Sequence, residues 1–170
     1  MASVDFKDFS INVKAAINNT SIAWLHTWAN ETASQAQRNT SKDEWTGGER
    51  TRIRGSYSAI VDDGKGEAQV GTPLEEGYWE EWGTGEYAAH GDGRKGWWVY
   101  IRGQASKGGG KSYKTKQEAE EAAAFLRVVK DLDAVVTNGR RPNYTLEKSF
   151  EATKNPAIAD LERRLKEMGK

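Results

Sequence analysis

The stretch Tyr78-Trp79-Glu80-Glu81-Trp82-Gly83-Thr84-Gly85 places two indole rings, two carboxylates and two glycines side by side. Large aromatic side chains gain much hydrophobic free energy on burial, so a pair of tryptophans is typical of a core seam or a protein interface. The glycines that follow allow the backbone to turn where a side chain would clash. The segment predicts a short helix that ends at Gly83 or Gly85. It leaves two functions open, a sugar-binding cleft and an assembly joint.

The composition restricts the class of protein. With 170 residues, a single domain spanning residues 1–170 is expected. Lys and Arg total 25 and Asp and Glu total 25, so the chain lacks the overall basic excess of a protein that grips nucleic acid tightly. The absence of cysteine excludes disulfides, thiolate metal sites and a cysteine nucleophile. No apolar run is long enough to cross a bilayer and the first residues do not resemble a signal peptide, so we expect synthesis in the cytoplasm.

Three segments have helical patterns. Apolar residues recur at steps of three and four from residue 10 to about 37, which predicts one long amphipathic helix. Thr115-Lys116-Gln117-Glu118 has the spacing of a capping box and predicts the start of a second helix. A C-terminal helix is expected from about Thr145, with Asn155-Pro156 restarting or kinking it.

The strands are expected between these helices. Residues 52–61 alternate between apolar and polar side chains, Asp63-Gly64 suits a tight hairpin turn, and residues 67–72 form the returning strand. Residues 97–102 are apolar on both faces and predict a central or covered strand, and residues 132–136 predict a further short one. The order favours an α+β fold, in which a long N-terminal helix and a C-terminal helix flank a small, mainly antiparallel sheet.

No convincing catalytic constellation is present, so we expect a protein that is not an enzyme and that has no cofactor or metal. Ala105–Ser112 satisfies a relaxed phosphate-loop pattern, but the helix that phosphate binding requires starts too late, at Thr115. His90 and Asp92 lack a third ligand in the sequence. The glutamates of 75–86 could serve a glycoside hydrolase only if two of them faced each other across a substrate. On one short helix they are expected to point outward together, as a solvated or subunit-facing acidic patch.

Charge is distributed unevenly along the chain. Residues 75–86 carry five acids and no base, whereas residues 94–116 carry seven bases and no acid. This polarity suits head-to-tail contact between identical subunits, or a loop whose lysines screen the phosphates of duplex DNA without reading sequence. Two independently solvated faces would give the same pattern.

Several segments, in order, resemble one family: the small neck, or tail-completion, proteins of long-tailed bacteriophages, described as minor tail or head–tail joining components. The resemblance is carried by the first helix, the start of the first strand, the aromatic–Glu–aromatic–Gly-Thr-Gly segment and a proline-led start of the last helix. These are Ala23–Leu25 with Trp28–Asn30, Thr51–Tyr57, Tyr78–Gly85 and Arg141–Leu146. The family's usual Thr-Pro-Val-Asp-Thr-Gly run is replaced by Thr40–Glu49, and residues 112–138 resemble an inserted strand–helix–strand unit.

The resemblance implies a structural virion protein of the neck, made in the host bacterial cytoplasm. Copies would form a six- or twelve-fold ring that joins the portal, adaptor or head-closure protein to the tail terminator or tail tube, with transient non-specific contact to double-stranded DNA passing through it. Trp79, Trp82, Gly83 and Gly85 would then pack a core seam or subunit interface. Arg94, Lys95, Lys107 and Lys111 would face the lumen or DNA. The alternative is a carbohydrate-binding or glycan-active protein that uses Trp79, Trp82 and the nearby glutamates.

Overall fold

The computed structural model describes residues 10–41, 48–102 and 110–169, with residues 10–13 and 48–50 described as backbone only. The fold is α+β, and the described residues form five helices and six short strands. The chain divides into two compact units. The first, the helix–hairpin unit, comprises Met1–Thr40, Gly47–Pro73 and Thr145–Lys170; the second, the glycine-rich unit, comprises Ser41–Thr46 and Leu74–Tyr144.

The helix–hairpin unit contains three helices and one hairpin. They are α1 (Ser10–Asn39), α2 (Gly48–Ser56), β1 (Ser58–Asp62), β2 (Glu67–Gly71) and α5 (Thr145–Met168). The predicted long first helix and C-terminal helix are therefore confirmed. Helix α1 packs against both α5 and the hairpin. Its buried side is made of small residues, Ala29, Thr32, Ala33 and Ala36, which allow the other elements to approach closely.

The prediction of a strand over residues 52–61 is wrong for its first half. Residues 52–56 belong to helix α2, and the strand comprises only Ser58–Asp62. Ile53, in α2, is 0% exposed and Tyr57, the residue after α2 ends, is 2% exposed; a spacing of four residues fits one helical face. The same two side chains also fit an alternating pattern, so the periodicity of such a short segment does not distinguish the two structures.

The hairpin itself is confirmed, but its turn differs from the prediction. β1 and β2 are antiparallel with Ser58 opposite Gly71 and Asp62 opposite Glu67. Residues 63–66 therefore form the connection, and Gly66 supplies the positive φ of 66°, in place of Asp63-Gly64. The His26 ring of α1 lies 2.7 Å from the Asp63 carboxylate and connects α1 to this turn.

Two tryptophans of α1 form hydrogen bonds with α5. The Nε1–H of Trp24 donates to the carbonyl of Ala157 at 2.7 Å, and that of Trp28 donates to the Thr153 hydroxyl at 3.1 Å. These contacts lie on either side of Pro156, which has no N–H to donate within the helix. Helix α5 continues through Pro156, so the predicted restart at Asn155-Pro156 does not occur.

The glycine-rich unit contains two helices and four strands. They are α3 (Glu75–Trp82), β3 (Thr84–Gly85), β4 (Trp98–Ile101), α4 (Lys116–Lys130), β5 (Ala134–Thr137) and β6 (Gly139–Arg140). The predicted end of α3 at Gly83 and the capping box at Thr115 are both confirmed. Helix α4 packs against β4 and β5. Whether residues 112–138 are an insertion stays a prediction.

Within the described residues the sheets are three antiparallel pairs: β1–β2, β3–β6 and β4–β5. For residues 97–102, which were predicted to form a central or covered strand, the central alternative is therefore wrong. β4 pairs with β5, and on its other side the described residues form a single bridge, which joins Trp97 to Tyr113. Its residues are half-buried, which explains why both of its faces are apolar.

Candidate functional site

The carboxylate of Glu80 lies at the centre of the conspicuous aromatic segment. The residue is 0% exposed. Helix α3 is short and directs this side chain inward, so that one oxygen forms an ion pair with Arg140 of β6. The other oxygen accepts from the Asn143 side-chain amide and from the backbone N–H of Ser41, both at 2.7 Å. The backbone carbonyl of Glu80 also accepts from the N–H of Asn143 at 2.8 Å.

This network shows what Glu80 does in the fold. A buried carboxylate is tolerated only when it is paired and hydrogen-bonded, because removing it from water costs several kcal/mol. Glu80 satisfies this requirement by connecting three chain segments that are far apart in sequence. Its role in the structure is to hold these segments together.

Glu81 is also buried, at 6% exposure. Its backbone carbonyl accepts from the N–H of Tyr144. The prediction that the glutamates of α3 point outward together is therefore wrong for Glu80 and Glu81. Adjacent positions on a helix differ by about 100°, and here both directions from α3 are covered by other parts of the unit.

The aromatic residues of the segment are less buried than its carboxylates. Tyr78 is 51% exposed, and Trp79 and Trp82 are half-buried. The Trp82 ring lies 4.7 Å from the His90 ring and 6.2 Å, edge-on, from the Tyr144 ring, measured between centroids. Trp82 therefore joins an internal aromatic contact, whereas part of Trp79 remains available to another surface.

Gly83 and Gly85 are required by close approach of the backbone. Both are buried and have positive φ, 72° and 62°. A Cβ on Gly83 would lie 2.6 Å from the Arg140 carbonyl oxygen, and one on Gly85 would lie 2.5 Å from the Trp98 ring. The absence of side chains at these glycines lets β3 approach β6 closely. In this pair Thr84 is opposite Arg140 and Gly85 is opposite Gly139. We refer to Glu80, Gly83, Gly85, Gly139, Arg140 and Asn143 as the α3–β6 joint.

The predicted basic residues lie elsewhere in the same unit. Arg94 donates to the Ser112 hydroxyl at 2.8 Å and to the carbonyl of Gly110, and its guanidinium lies 5.0 Å from the Trp98 ring centroid. Lys95 is exposed in the loop before β4. The Lys111 ammonium lies 5.1 Å from the Tyr113 ring centroid. Lys107 lies outside the described residues.

Lys111 and its neighbours do not form a phosphate loop. Residues 110–112 precede the first helical residue, Lys116, by several positions, and Lys111 is directed at an aromatic ring. Helix N–H groups are therefore not aimed at a ligand above Lys111, as that kind of site requires.

A cation covers each of several rings in this region. In addition to the Arg94–Trp98 and Lys111–Tyr113 pairs, the Lys116 ammonium lies 5.7 Å from the Trp97 ring centroid. Trp97 and Tyr113 exchange backbone hydrogen bonds of 2.9 and 2.7 Å, which hold the two segments side by side. We refer to Arg94, Trp97, Trp98, Lys111, Tyr113 and Lys116 as the cation–aromatic cluster.

Sequence reasoning missed Arg140, Asn143 and Gly139. An arginine between a turn and a proline, Gly139-Arg140-Arg141-Pro142, carries no periodic signal. Its role depends on a partner 60 positions earlier. A Glu inside an otherwise aromatic segment was the available hint, since buried carboxylates require such a partner.

The described part of the chain contains no helix with both the length and the apolar character needed to cross a membrane. In the same residues no three His, Cys, Asp or Glu side chains come together as a metal-ion site would require. Comparisons with known protein families, curated proteins and solved structures gave no match.

Proposed function

We propose that this chain is a structural component of a bacteriophage neck, forming a homo-oligomeric ring that joins the portal or head-closure complex to the tail tube. The proposal starts from the resemblance of Tyr78–Gly85 and three other segments to that family. It is supported by the α+β fold with long first and last helices.

One observation carries the proposal beyond the resemblance. Of the five glutamates in residues 75–86 that could have served a glycan-cleaving enzyme, Glu80 and Glu81 are buried within the unit. Glu80 is held by Arg140, Asn143 and the N–H of Ser41. A buried Glu80 carboxylate that is engaged in this way supports the interpretation of the segment as a structural joint.

The carbohydrate alternative depends on the exposed parts of Tyr78 and Trp79. A groove of about 360 Å³ lies elsewhere, between α1 and α5, and its lining includes Trp24, Trp28 and Pro156. Sugar sites are usually concave and enclose most of their ligand, whereas half of the Tyr78 surface is exposed to solvent, so Tyr78 and Trp79 fit a protein contact better.

Sedimentation and negative-stain electron microscopy of the purified chain test the proposal. We expect closed rings, either in isolation or on addition of purified portal complex. Head-to-tail contacts between identical subunits close into a ring when the rotation from one subunit to the next is a whole fraction of 360°. Trp79→Ala should weaken ring formation without unfolding the chain, and Tyr87→Ala, another exposed aromatic of the same unit, is the matched control. A chain that stays monomeric with the portal complex, and whose tryptophan fluorescence changes on glycan titration, would replace this proposal with the carbohydrate alternative.

A further inference from the structure

Arg102 pairs with Asp133, but the other described cations of residues 94–116 differ from the paired arginines of the chain in what they face. Arg38 pairs with Glu31, Arg127 with Glu120, and Arg140 with Glu80. Arg94, Lys95, Lys111, Lys114 and Lys116 have no carboxylate within ion-pair distance among the described residues, and Arg94, Lys111 and Lys116 lie over aromatic rings. Positive charge is thus left uncompensated in one part of a chain whose formal net charge is zero.

The aromatic rings restrict where these cations can go. Contact with an aromatic face stabilises the position of a cation, and unlike an ion pair it leaves the charge unneutralised. The Arg94 guanidinium is further held by Ser112 and Gly110. The cluster therefore presents cations in restricted positions, and this lowers the entropy lost when they bind an anionic surface.

The acidic segment of this same chain is not a suitable partner for the cluster. Of the acids in residues 75–86, Glu80 and Glu81 are buried, and Glu86 accepts from the N–H of Gly96 and from the Asn138 amide. Few carboxylates of this segment are therefore available to another copy, which is a small counter-charge for a head-to-tail contact. The anion that fits is a larger one, carried by another molecule.

We infer that the cation–aromatic cluster is a binding surface for the phosphate backbone of duplex DNA, contacted without reading of sequence. The Arg94, Lys111 and Lys116 cations bind phosphates, and the rings of Trp98, Tyr113 and Trp97 position those cations. Because each ring is covered by a cation of the chain itself, stacking of unpaired bases on it is not part of the binding. The choice of duplex DNA rests on the proposed function; the location and chemistry of the surface rest on the geometry.

The test compares two triple variants by fluorescence anisotropy with a labelled 30-base-pair duplex of arbitrary sequence, between 50 and 200 mM NaCl. Arg94→Gln/Lys111→Gln/Lys116→Gln removes the cluster's charges. Lys14→Gln/Lys65→Gln/Lys130→Gln removes the same charge from exposed lysines elsewhere. We expect the cluster variant to bind about tenfold more weakly at low salt. Its plot of log affinity against log salt should be shallower by about 2.7, since each phosphate contact contributes about 0.9 to the slope. The control should retain both values.

Two further measurements distinguish a loss of charge from misfolding and phosphate contact from base stacking. Lys111→Arg/Lys116→Arg should bind as the wild type does, since the charge over each ring is preserved, and circular dichroism should show all variants folded. A single strand with the same number of phosphates should bind no more tightly than the duplex. Preference for the single strand with quenching of tryptophan emission would overturn the inference, because it would require open rings.

The remaining outcomes separate this inference from the proposed function. Equal loss in both triple variants, or no binding of wild type at 50 mM NaCl, overturns the inference even if rings form. Loss of ring assembly in the cluster variant with DNA binding retained assigns the cations to a subunit contact and also overturns it. A monomer that binds duplex through the cluster upholds the inference and overturns only the ring.

Discussion

The α1–α5 helix pair and the α3–β6 joint are stabilised by different kinds of contact. The helix pair uses distributed contacts: the Trp24–Trp28 and Trp28–Phe150 ring pairs, indole donors, and hydroxyls such as Thr32 and Thr153 at 2.8 Å. The joint depends on one buried ion pair and on glycines that leave no room for a side chain.

This difference predicts where a single substitution should destabilise the fold most. A distributed interface can lose one contact and retain the others, so the cost of each loss is small. A joint that depends on backbone approach and on a buried charge has no such reserve, because either change affects all of its segments. The predictions below compare changes at the joint with matched changes elsewhere.

The largest effect is expected for Gly85→Ala. The new Cβ would lie 2.5 Å from the Trp98 ring and 2.6 Å from Gly139 Cα, on a residue with φ of 62°. We expect destabilisation of about 4 kcal/mol or more, measured by urea unfolding with hydrogen exchange to locate the change in residues 74–144. Gly91 has a similar φ of 71°, but a Cβ added there by Gly91→Ala would have no other atom within 4 Å. It should cost only the conformational strain of about 1–2 kcal/mol, and equal effects would refute the close-approach explanation.

Glu80→Gln should have the next largest effect. It preserves shape but leaves Arg140, whose side chain is 12% exposed, facing a neutral amide. Breaking a buried pair in this way costs about 3–5 kcal/mol. Glu31→Gln breaks the Arg38 pair, whose side chains are 50% and 57% exposed, and should cost no more than about 1 kcal/mol. If the two unfolding free energies change alike, burial is not what distinguishes the joint.

Thr153→Val tests the helix pair. The hydroxyl accepts from Trp28 and donates to the carbonyl of Ser149, and its loss should cost about 1–3 kcal/mol because buried polar groups are left unsatisfied. Thr27→Val removes a comparable bond to the carbonyl of Ala23 on an exposed position. Its effect on thermal unfolding should stay within about 0.5 kcal/mol. A cost at Thr153 above that of Glu80→Gln would contradict the comparison.

The smallest effect is expected for Asp160→Asn on α5. Hydrogen bonding to Arg163 holds the pKa of the Asp160 carboxyl below its usual value, although Asp160 is at the surface. A lowered pKa means that this carboxylate stabilises the fold above its unfolded pKa and that the stabilisation is lost as pH falls through the folded value. The slight difference between wild type and variant in urea unfolding at pH 7 should vanish at strongly acidic pH. A difference that grows on acidification would show the opposite sign of linkage.

Much of the helical structure follows from local sequence. The capping box is an example: the Thr115 hydroxyl accepts from the Glu118 N–H, and the Glu118 carboxylate accepts from the Thr115 N–H. Both partners lie within one turn, so no distant segment was needed to predict the start of α4. The end of α3 at Gly83 follows from the same kind of local preference.

Residues 52–57 show where local pattern is insufficient. The spacing of Ile53 and Tyr57 fits one face of a strand and also one face of a helix. Only the surrounding elements decide between the two structures. Likewise, neighbouring glutamates on a short helix such as α3 are expected to point outward together, toward solvent or another subunit. The structure covers both Glu80 and Glu81.

Local sequence patterns are sufficient to predict the α+β class, the positions of four of the five described helices and the β1–β2 hairpin, because periodicity, caps and turn residues act over a few neighbouring positions. The pairing of Glu80 with Arg140 and the contact of Gly85 with Gly139 depend instead on the tertiary structure. Those contacts join residues more than fifty positions apart, and their energies come from burial and close approach, which exist only once the segments have met.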